Sequence, residues 1–250
     1  MRNRFDRQLE ELHTELIQMG ALCERAIRKA VAAVMESDAA KAKEALEAAG
    51  ETDRMEREAE NLCLKLLLHQ QPVARDLRQV SAALKMITDM ERIGNQAADI
   101  SEIVMERDLC SYAKTVDMAG MAETAIEMVT RSVDSYVKQD LELAKWVIRE
   151  DDVVDDAFVS MKSRLVQQLV GDGAECALDL LMVAKYLEKI GDHAVNIAEW
   201  VEFSITGIHR RGEKPEEESE PVPEEAPSLS GGAEGKKEFS FRGPRSDWEQ

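Results

Sequence analysis

Two stretches of the chain, "MERIGNQAADI" at residues 90–100 and "LEKIGDHAVNI" at residues 187–197, carry the same pattern of polar and apolar residues. Each contains three polar residues spaced four apart: Glu91, Asn95 and Asp99 in the first, and Glu188, Asp192 and Asn196 in the second. On a helix, the first residue of each set lies at the border of the apolar face and the other two fan toward the polar side. The repetition predicts two equivalent helices.

Composition favours an all-α fold. Of the 250 residues, 44% are hydrophobic and only 4% are aromatic, and helix-favouring Ala, Leu, Glu, Met and Lys predominate. The formal net charge of −18 repels phosphate backbones, so nucleic-acid binding is not expected. The charged stretch "MRNRFDRQLEEL" lacks the features of a signal peptide, and no apolar run approaches the ~18 residues that cross a bilayer. We therefore expect a cytoplasmic protein that reaches membranes, at most peripherally, through partners.

Proline placement divides the chain. Pro72 is the only proline before residue 215, so long uninterrupted helices fit residues 1 to about 212. The "ESDAAK" segment predicts the end of helix 1, with Ser37 or Asp38 capping helix 2, and Pro72 fits the first position of helix 3. Residues 211–250 combine acidic runs with Pro, Ser and Gly, which predicts a disordered Pro/Glu-rich tail.

The helical part of the chain is duplicated. "MGALCERAI" at residues 19–27 aligns with "MAGMAETAI" at residues 118–126, and the acidic runs that follow align at the same offset. Two units of about 100 residues are too long for solenoid repeats. They predict two domains, residues 1–107 and 108–210, each an antiparallel three-helix bundle.

Metal binding is one hypothesis for the repeated polar residues. Gly94 and Gly191 lie mid-helix, where glycine costs about 1 kcal/mol relative to alanine, and they predict a close helix approach. That approach brings in carboxylates from the preceding helix: Asp53, Glu56 and Glu60 in the first unit, and Asp152, Asp155 and Asp156 in the second. Crowded carboxylates repel unless a cation bridges them, and oxygen ligands suit magnesium, manganese, calcium or iron. The alternative is an acidic helix face that only interacts with water.

At these residues the chain resembles a known family. "QQPVARDLRQV" at residues 70–80, "MERIGNQAADI", and "YLEKIGDHAVNIAEWV" at residues 186–201 are similar to the PhoU family of phosphate-signalling regulators, and the similarity extends to about residue 207. The resemblance implies two tandem three-helix bundles with pseudo-two-fold symmetry.

The resemblance also implies E/D-x-x-x-D motifs that bind a divalent or trivalent metal ion: iron, manganese, magnesium or zinc. The motif falls on Glu91 with Asn95 and Asp99, and on Glu188 with Asp192 and Asn196. The chain departs from the family at Asn95, where Asp is usual, so the first site loses a charge unless Asp99 supplies it.

The function implied by the resemblance is negative regulation of the phosphate-starvation response. The expected partners are a membrane sensor histidine kinase and the ATPase subunit of a high-affinity phosphate ABC transporter. Exposed apolar residues at the helix borders favour a homodimer. The alternatives are an accessory regulator of a phosphate permease and a metal-free helical adaptor.

No catalytic apparatus is visible in the sequence, so we do not expect an enzyme. Gly-rich phosphate loops and nucleophile-elbow motifs are absent from the sequence. A ferritin-like di-iron site requires Glu-x-x-His on two helices. This chain has the motif once, at Glu10 and His13.

Overall fold

The computed structural model describes residues 2–70, 74–109, 113–114, 116–167 and 173–208. Within these ranges it contains six α-helices and no β-strand. In chain order they are α1 (Arg2–Glu36), α2 (Ala39–Gln70), α3 (Arg75–Glu106), α4 (Met118–Lys138), α5 (Leu141–Val166) and α6 (Ala174–Thr206). The predicted all-α fold class is confirmed. The tail predicted for residues 211–250 lies outside the described residues.

The turn between α1 and α2 lies where the sequence predicts it. Ser37 has a positive φ of 52°, which a right-handed helix cannot continue. Asp38 then caps α2, because its Oδ1 accepts hydrogen bonds from the backbone N–H groups of Ala40 at 2.8 Å and Lys41 at 3.4 Å. Of the two predicted caps, Asp38 is the one that the structure uses.

The same local arrangement separates α4 from α5. Gln139 has a φ of 52°, and the following Asp140 accepts a hydrogen bond from the backbone N–H of Leu143 at 3.0 Å. A residue with positive φ followed by a capping aspartate therefore makes the first turn of both halves. This local similarity extends the duplication seen in the sequence.

Helix α3 begins later than predicted. The sequence places its first residue at Pro72, whereas the described helix begins at Arg75 and Pro72 lies outside the described residues. Ala74 has a positive φ of 42°, so the helix cannot extend backward through it. Proline preference gives no information about this conformation, which is why the sequence alone misplaced the start.

Each half folds as a three-helix bundle. Helices α1, α2 and α3 pack against one another, and so do α4, α5 and α6. The bundles meet where α3 packs along α6 and α1 packs against α4, and the buried apolar side chains of both form one continuous core. The predicted tandem bundles are confirmed. The exact division at residues 107 and 108 stays a prediction.

The contact between the bundles is largely buried. Tyr136 of α4 is fully buried, and its hydroxyl donates a hydrogen bond to the backbone oxygen of Gln79 in α3 at 2.8 Å. At the surface, Arg28 of α1 pairs with Glu123 of α4 at 2.6 Å. Exposed ion pairs contribute about 0–1 kcal/mol. The shared core and the buried Tyr136 hydrogen bond therefore hold the bundles together more than the surface charges do.

The two mid-helix glycines lie at close contacts between neighbouring helices, as predicted. A methyl group added at Gly94 of α3 would lie 3.3 Å from the Cβ of Thr52 in α2. At Gly191 of α6 it would lie 3.4 Å from Val154 and 3.6 Å from a carboxylate oxygen of Asp151, both in α5. The approach at Gly94 is tighter than an ordinary van der Waals contact, whereas a methyl group at Gly191 would lie at about ordinary contact distance.

Replacing Gly94 with alanine should destabilise the protein by about 1 kcal/mol. The helix propensity gained is smaller than the cost of overpacking, because Thr52 is fully buried, is stiff at χ1 and donates its hydroxyl hydrogen to Ala48. The matched control is Gly50→Ala in α2, where the added methyl meets nothing and should stabilise by about 0.5–1 kcal/mol. Urea unfolding of both variants measures the difference, and equal stabilisation would contradict the close approach.

Candidate functional site

The carboxylates of α2 and α3 meet at the surface of the first bundle. We call this group, Asp53, Glu56, Glu60, Glu91 and Asn95, the first seam. Burial raises the pKa of Glu56 above its ordinary value, and the nearby carboxylates of Glu60 and Glu91 raise it further. Asn95 donates a hydrogen bond from Nδ2 to Glu91 Oε1 at 2.6 Å. The Asp53 Oδ1 is buried and has no hydrogen-bond partner among the described residues.

Asp99, the third polar residue of the first motif, does not join this seam. Burial raises its pKa, with Glu102 as the other contributor. Burial also raises the pKa of Tyr186 in α6, and the nearby Asp99 raises it further. Each step of four residues advances a helix by about 40° beyond a full turn. After two steps from Glu91, Asp99 has therefore rotated away from α2 and toward α6.

The second seam, between α5 and α6, is more acidic. We give this name to Asp151, Asp152, Asp155, Glu188 and Asp192. Asp151 is half-buried, and burial together with the neighbouring Asp155 and Asp192 raises its pKa to about 6. Burial, Glu188 and Asp192 also raise the pKa of Asp155. Carboxylates from both helices therefore repel one another here, as the sequence predicts for a close helix approach.

Two lysines of α6 partly neutralise the second seam. Lys185 Nζ lies 2.6 Å from Glu188, and Lys189 pairs with Asp192 and lies 3.4 Å from Glu188. Hydrogen bonding to Asp192 raises the pKa of Lys189 above its ordinary value, which keeps the ammonium charged. A metal ion in this seam would have to displace these ammonium groups from Glu188 and Asp192.

Asn196, the third polar residue of the second motif, lies in a different contact. Its Nδ2 donates a hydrogen bond to Asp89 Oδ1 at 3.3 Å, and His193 Nδ1 lies 2.9 Å from the same oxygen. Asp89 belongs to α3, so Asn196 and His193 lie at the contact between the two bundles. His193 is therefore an interface histidine.

Asp151 is the seam residue that the sequence analysis missed. It faces Gly191 and couples to four other carboxylates, whereas the predicted Asp152 is exposed. The signal was present, because Asp151 and Asp155 repeat the four-residue spacing of Glu188 and Asp192 on the facing helix. An acidic run with four aspartates does not show which of them faces α6, since this depends on how α5 is rotated.

The seams fit a hard cation in their chemistry but not in their present side-chain arrangement. Carboxylate oxygens are the donors that magnesium, manganese and iron accept. Within the ranges that the structure describes, however, no three His, Cys, Asp or Glu side chains converge closely enough to hold a metal ion. The ten predicted ligands therefore divide into eight at the two seams and two, Asp99 and Asn196, at the contact between the bundles.

The profile of the PhoU domain matches residues 16–104 and 118–201, one match in each bundle. The chain belongs to the PhoU family. Two PhoU relatives, from Clostridium acetobutylicum and Synechocystis sp., are each named "Phosphate-specific transport system accessory protein PhoU homolog". The first is 33% identical over 81% of this chain and 94% of its own length, and the second is 34% identical over 82% and 93%.

Solved PhoU structures share the fold. The PhoU crystal structure from Pseudomonas aeruginosa superposes with a TM-score of 0.74 at 29% identity, covering 82% of this chain and all of that one. The PhoU structure from Streptococcus pneumoniae, with a TM-score of 0.72 at 20% identity, supports the fold alone. Among the described helices, none combines the length and apolar character needed to cross a membrane.

Replacing Asp151 with asparagine should stabilise the protein at neutral pH. Because its folded pKa is raised from 3.8 to about 6, the wild-type carboxyl costs nothing below pH 3.8, and its full cost is present above about pH 6. We expect Asp151→Asn to be more stable by about 1 kcal/mol at pH 7.5, after allowing for solvent screening, and the gain to vanish near pH 4.

Thermal unfolding measured from pH 4 to pH 8 tests this difference. The control is Asp156→Asn, which removes the same charge from an exposed position on the same helix. A gain that is independent of pH, or equal in the control, would show that Asp151 is not repelled by the second seam.

Proposed function

We propose that this protein is an accessory regulator of a phosphate-specific transport system that keeps the phosphate-starvation response off when phosphate is plentiful. The observation that carries the proposal is the PhoU match in both bundles, together with relatives named for that transport system. The two seams give the chain repeated acidic surfaces, which suit regulation by binding. We propose no catalytic step.

The proposed partners are a sensor histidine kinase and the ATPase subunit of a phosphate ABC transporter, met by this protein in the cytoplasm. A protein that couples them needs surfaces for both, and the two bundles present equivalent helix pairs. Exposed apolar side chains such as Leu68, at 75% exposure, and Val159, at 58%, offer further contact area to a partner or a second copy. We propose a homodimer on the same basis.

Metal binding at the seams is part of this proposal. Glu188, Asp192, Asp151 and Asp155 would hold a cation in the second seam, and Glu56, Glu91 and Asp53 would do so in the first. Burial raises the pKa values of Asp151 and Glu56, and the neighbouring carboxylates raise them further. A bound cation would relieve that repulsion between carboxylates. The second seam is the better candidate because it holds more carboxylates.

One observation favours an alternative, a metal-free helical adaptor that could equally serve a phosphate permease. Lys185 and Lys189 already pair with Glu188 and Asp192, so the protein supplies its own cations at the second seam. In that case the seams would act only as docking surfaces for basic partners.

Deleting the gene in its host should derepress the phosphate-starvation response. Loss of a negative regulator removes the signal that keeps the kinase inactive, so a phosphatase or promoter reporter should be on in phosphate-rich medium. Complementation with the intact gene should restore repression, which controls for effects on neighbouring genes. A reporter that stays off after deletion would contradict the proposed regulation.

Metal content tests the seam proposal separately. The purified protein, incubated with iron, manganese, magnesium or zinc and then desalted, should retain metal measurable by mass spectrometry. The double variant Glu188→Gln with Asp192→Asn should lose at least half of it, since it removes two of the four acidic ligands of the stronger seam.

The matched control for metal content is Glu47→Gln with Asp156→Asn, which removes two charges from exposed positions outside both seams. If the wild type retains none of the four metals, or both double variants retain equal amounts, the metal-free adaptor is the better description.

A further inference from the structure

A polar cleft lies between α3 and α6, apart from both seams. Its volume is about 220 Å³. It is lined by Lys85, Thr88, Asp89, Arg92, Asn196, Glu199 and Trp200. The first four belong to the first bundle and the last three to the second, so the cleft exists only when the bundles are packed together.

Two cations, Lys85 and Arg92, flank the cleft. Lys85 and Arg92 are exposed and seven residues apart on α3, so they lie on one side of the helix about 10 Å apart along its axis. In the part of the chain that the structure describes, neither residue forms an ion pair, although many other lysines and arginines do. In a chain with 50 acidic and 32 basic residues, two unpaired cations beside one cleft are available for an anionic ligand.

The carboxylates in the cleft differ in how they would affect an anion. Asp89 is buried, and its Oδ1 already accepts hydrogen bonds in the contact with His193 and Asn196. This carboxylate is therefore committed to joining α3 and α6. Glu199 is also buried and lines the cleft, so its negative charge would oppose a bound anion. Whether removal of the Glu199 charge strengthens or weakens ligand binding therefore distinguishes an anionic ligand from a cationic one.

We infer that this cleft binds a small tetrahedral oxyanion of the phosphate type, with Lys85 and Arg92 as its charged partners. Pockets for drug-sized ligands span roughly 300–1,000 Å³, so a cleft of about 220 Å³ suits a free ion with its water better than a nucleotide. Both side chains are long enough to reach a shared ion, and charge-assisted hydrogen bonds are the strong ones. The inference rests on the proposed function for the choice of inorganic phosphate.

Calorimetric titration of the full chain with inorganic phosphate, at constant ionic strength, tests the site. The wild type should bind phosphate, and the double variant Lys85→Met with Arg92→Gln should bind at least about tenfold more weakly, because it removes both charged partners of the ion. The matched control, Lys43→Met with Arg149→Gln, removes two exposed cations elsewhere and should bind like the wild type. All three proteins should have the same circular dichroism spectrum.

A third variant tests the chemistry of the ligand. Glu199→Gln removes the opposing charge with little change in shape, so it should strengthen phosphate binding, whereas it would weaken the binding of a cation. Adenosine monophosphate should bind more weakly than phosphate because of its size. The inference is overturned if the wild type does not bind millimolar phosphate, if both double variants weaken binding equally, if Glu199→Gln weakens it, or if the nucleotide binds more tightly.

Titration detects the ligand directly, whereas the deletion experiment measures repression. A protein that represses the reporter but does not bind phosphate would overturn this inference and leave the proposed function intact.

Discussion

The close approach of α2 to α3, and of α5 to α6, is the constraint on which the rest of the structure depends. Gly94 leaves room for Thr52, and Gly191 leaves room for Val154 and Asp151. A methyl group added at Gly94 would crowd Thr52 at 3.3 Å, and one added at Gly191 would fill the space that remains beside Val154 at 3.4 Å. The outer edges of the same helices carry the carboxylates, so the packing that completes each core also crowds acidic groups at the surface. Core packing and surface charge are therefore coupled in both bundles.

The two bundles relieve the repulsion between their carboxylates in different ways. Where the first bundle has Thr52, the second has Asp151, and Asn95 is replaced by Asp192. The threonine hydroxyl is satisfied within its own helix and the Asn95 amide donates to Glu91, so neutral groups relieve the first seam. In the second seam, the ammonium groups of Lys185 and Lys189 relieve the repulsion between the carboxylates. A bound metal ion would have to replace these ammonium groups. We therefore expect the second seam, where the pKa of Asp151 is raised to about 6, to be the one that responds more to pH.

Helices α3 and α6 connect the seams to the contact between the bundles. Glu91 lies in the first seam, and Asp89, two residues earlier, contacts His193 of α6. Asp192 lies in the second seam and is the neighbour of His193 in sequence. A shift of either helix that changes a seam would also change the Asp89 contact and the cleft beside it. Helices α3 and α6 each contribute to a seam and also form the contact between the bundles. This arrangement supports the proposed role of coupling two partners.

The sequence by itself determined the helices, their duplication, the acidic faces and the family, because these depend on periodicity, composition and motifs within single segments. It also placed Glu91 and Glu188 at the border of the apolar face, and both side chains are half-buried in the structure. Only the tertiary structure decided which carboxylates meet. Asp99 and Asn196 rotate out of the seams because a four-residue spacing advances by about 40° per step, and Asp151 enters because of how α5 is turned against α6. The rotation of one helix against another is set by the packing of the whole core, which no single segment encodes.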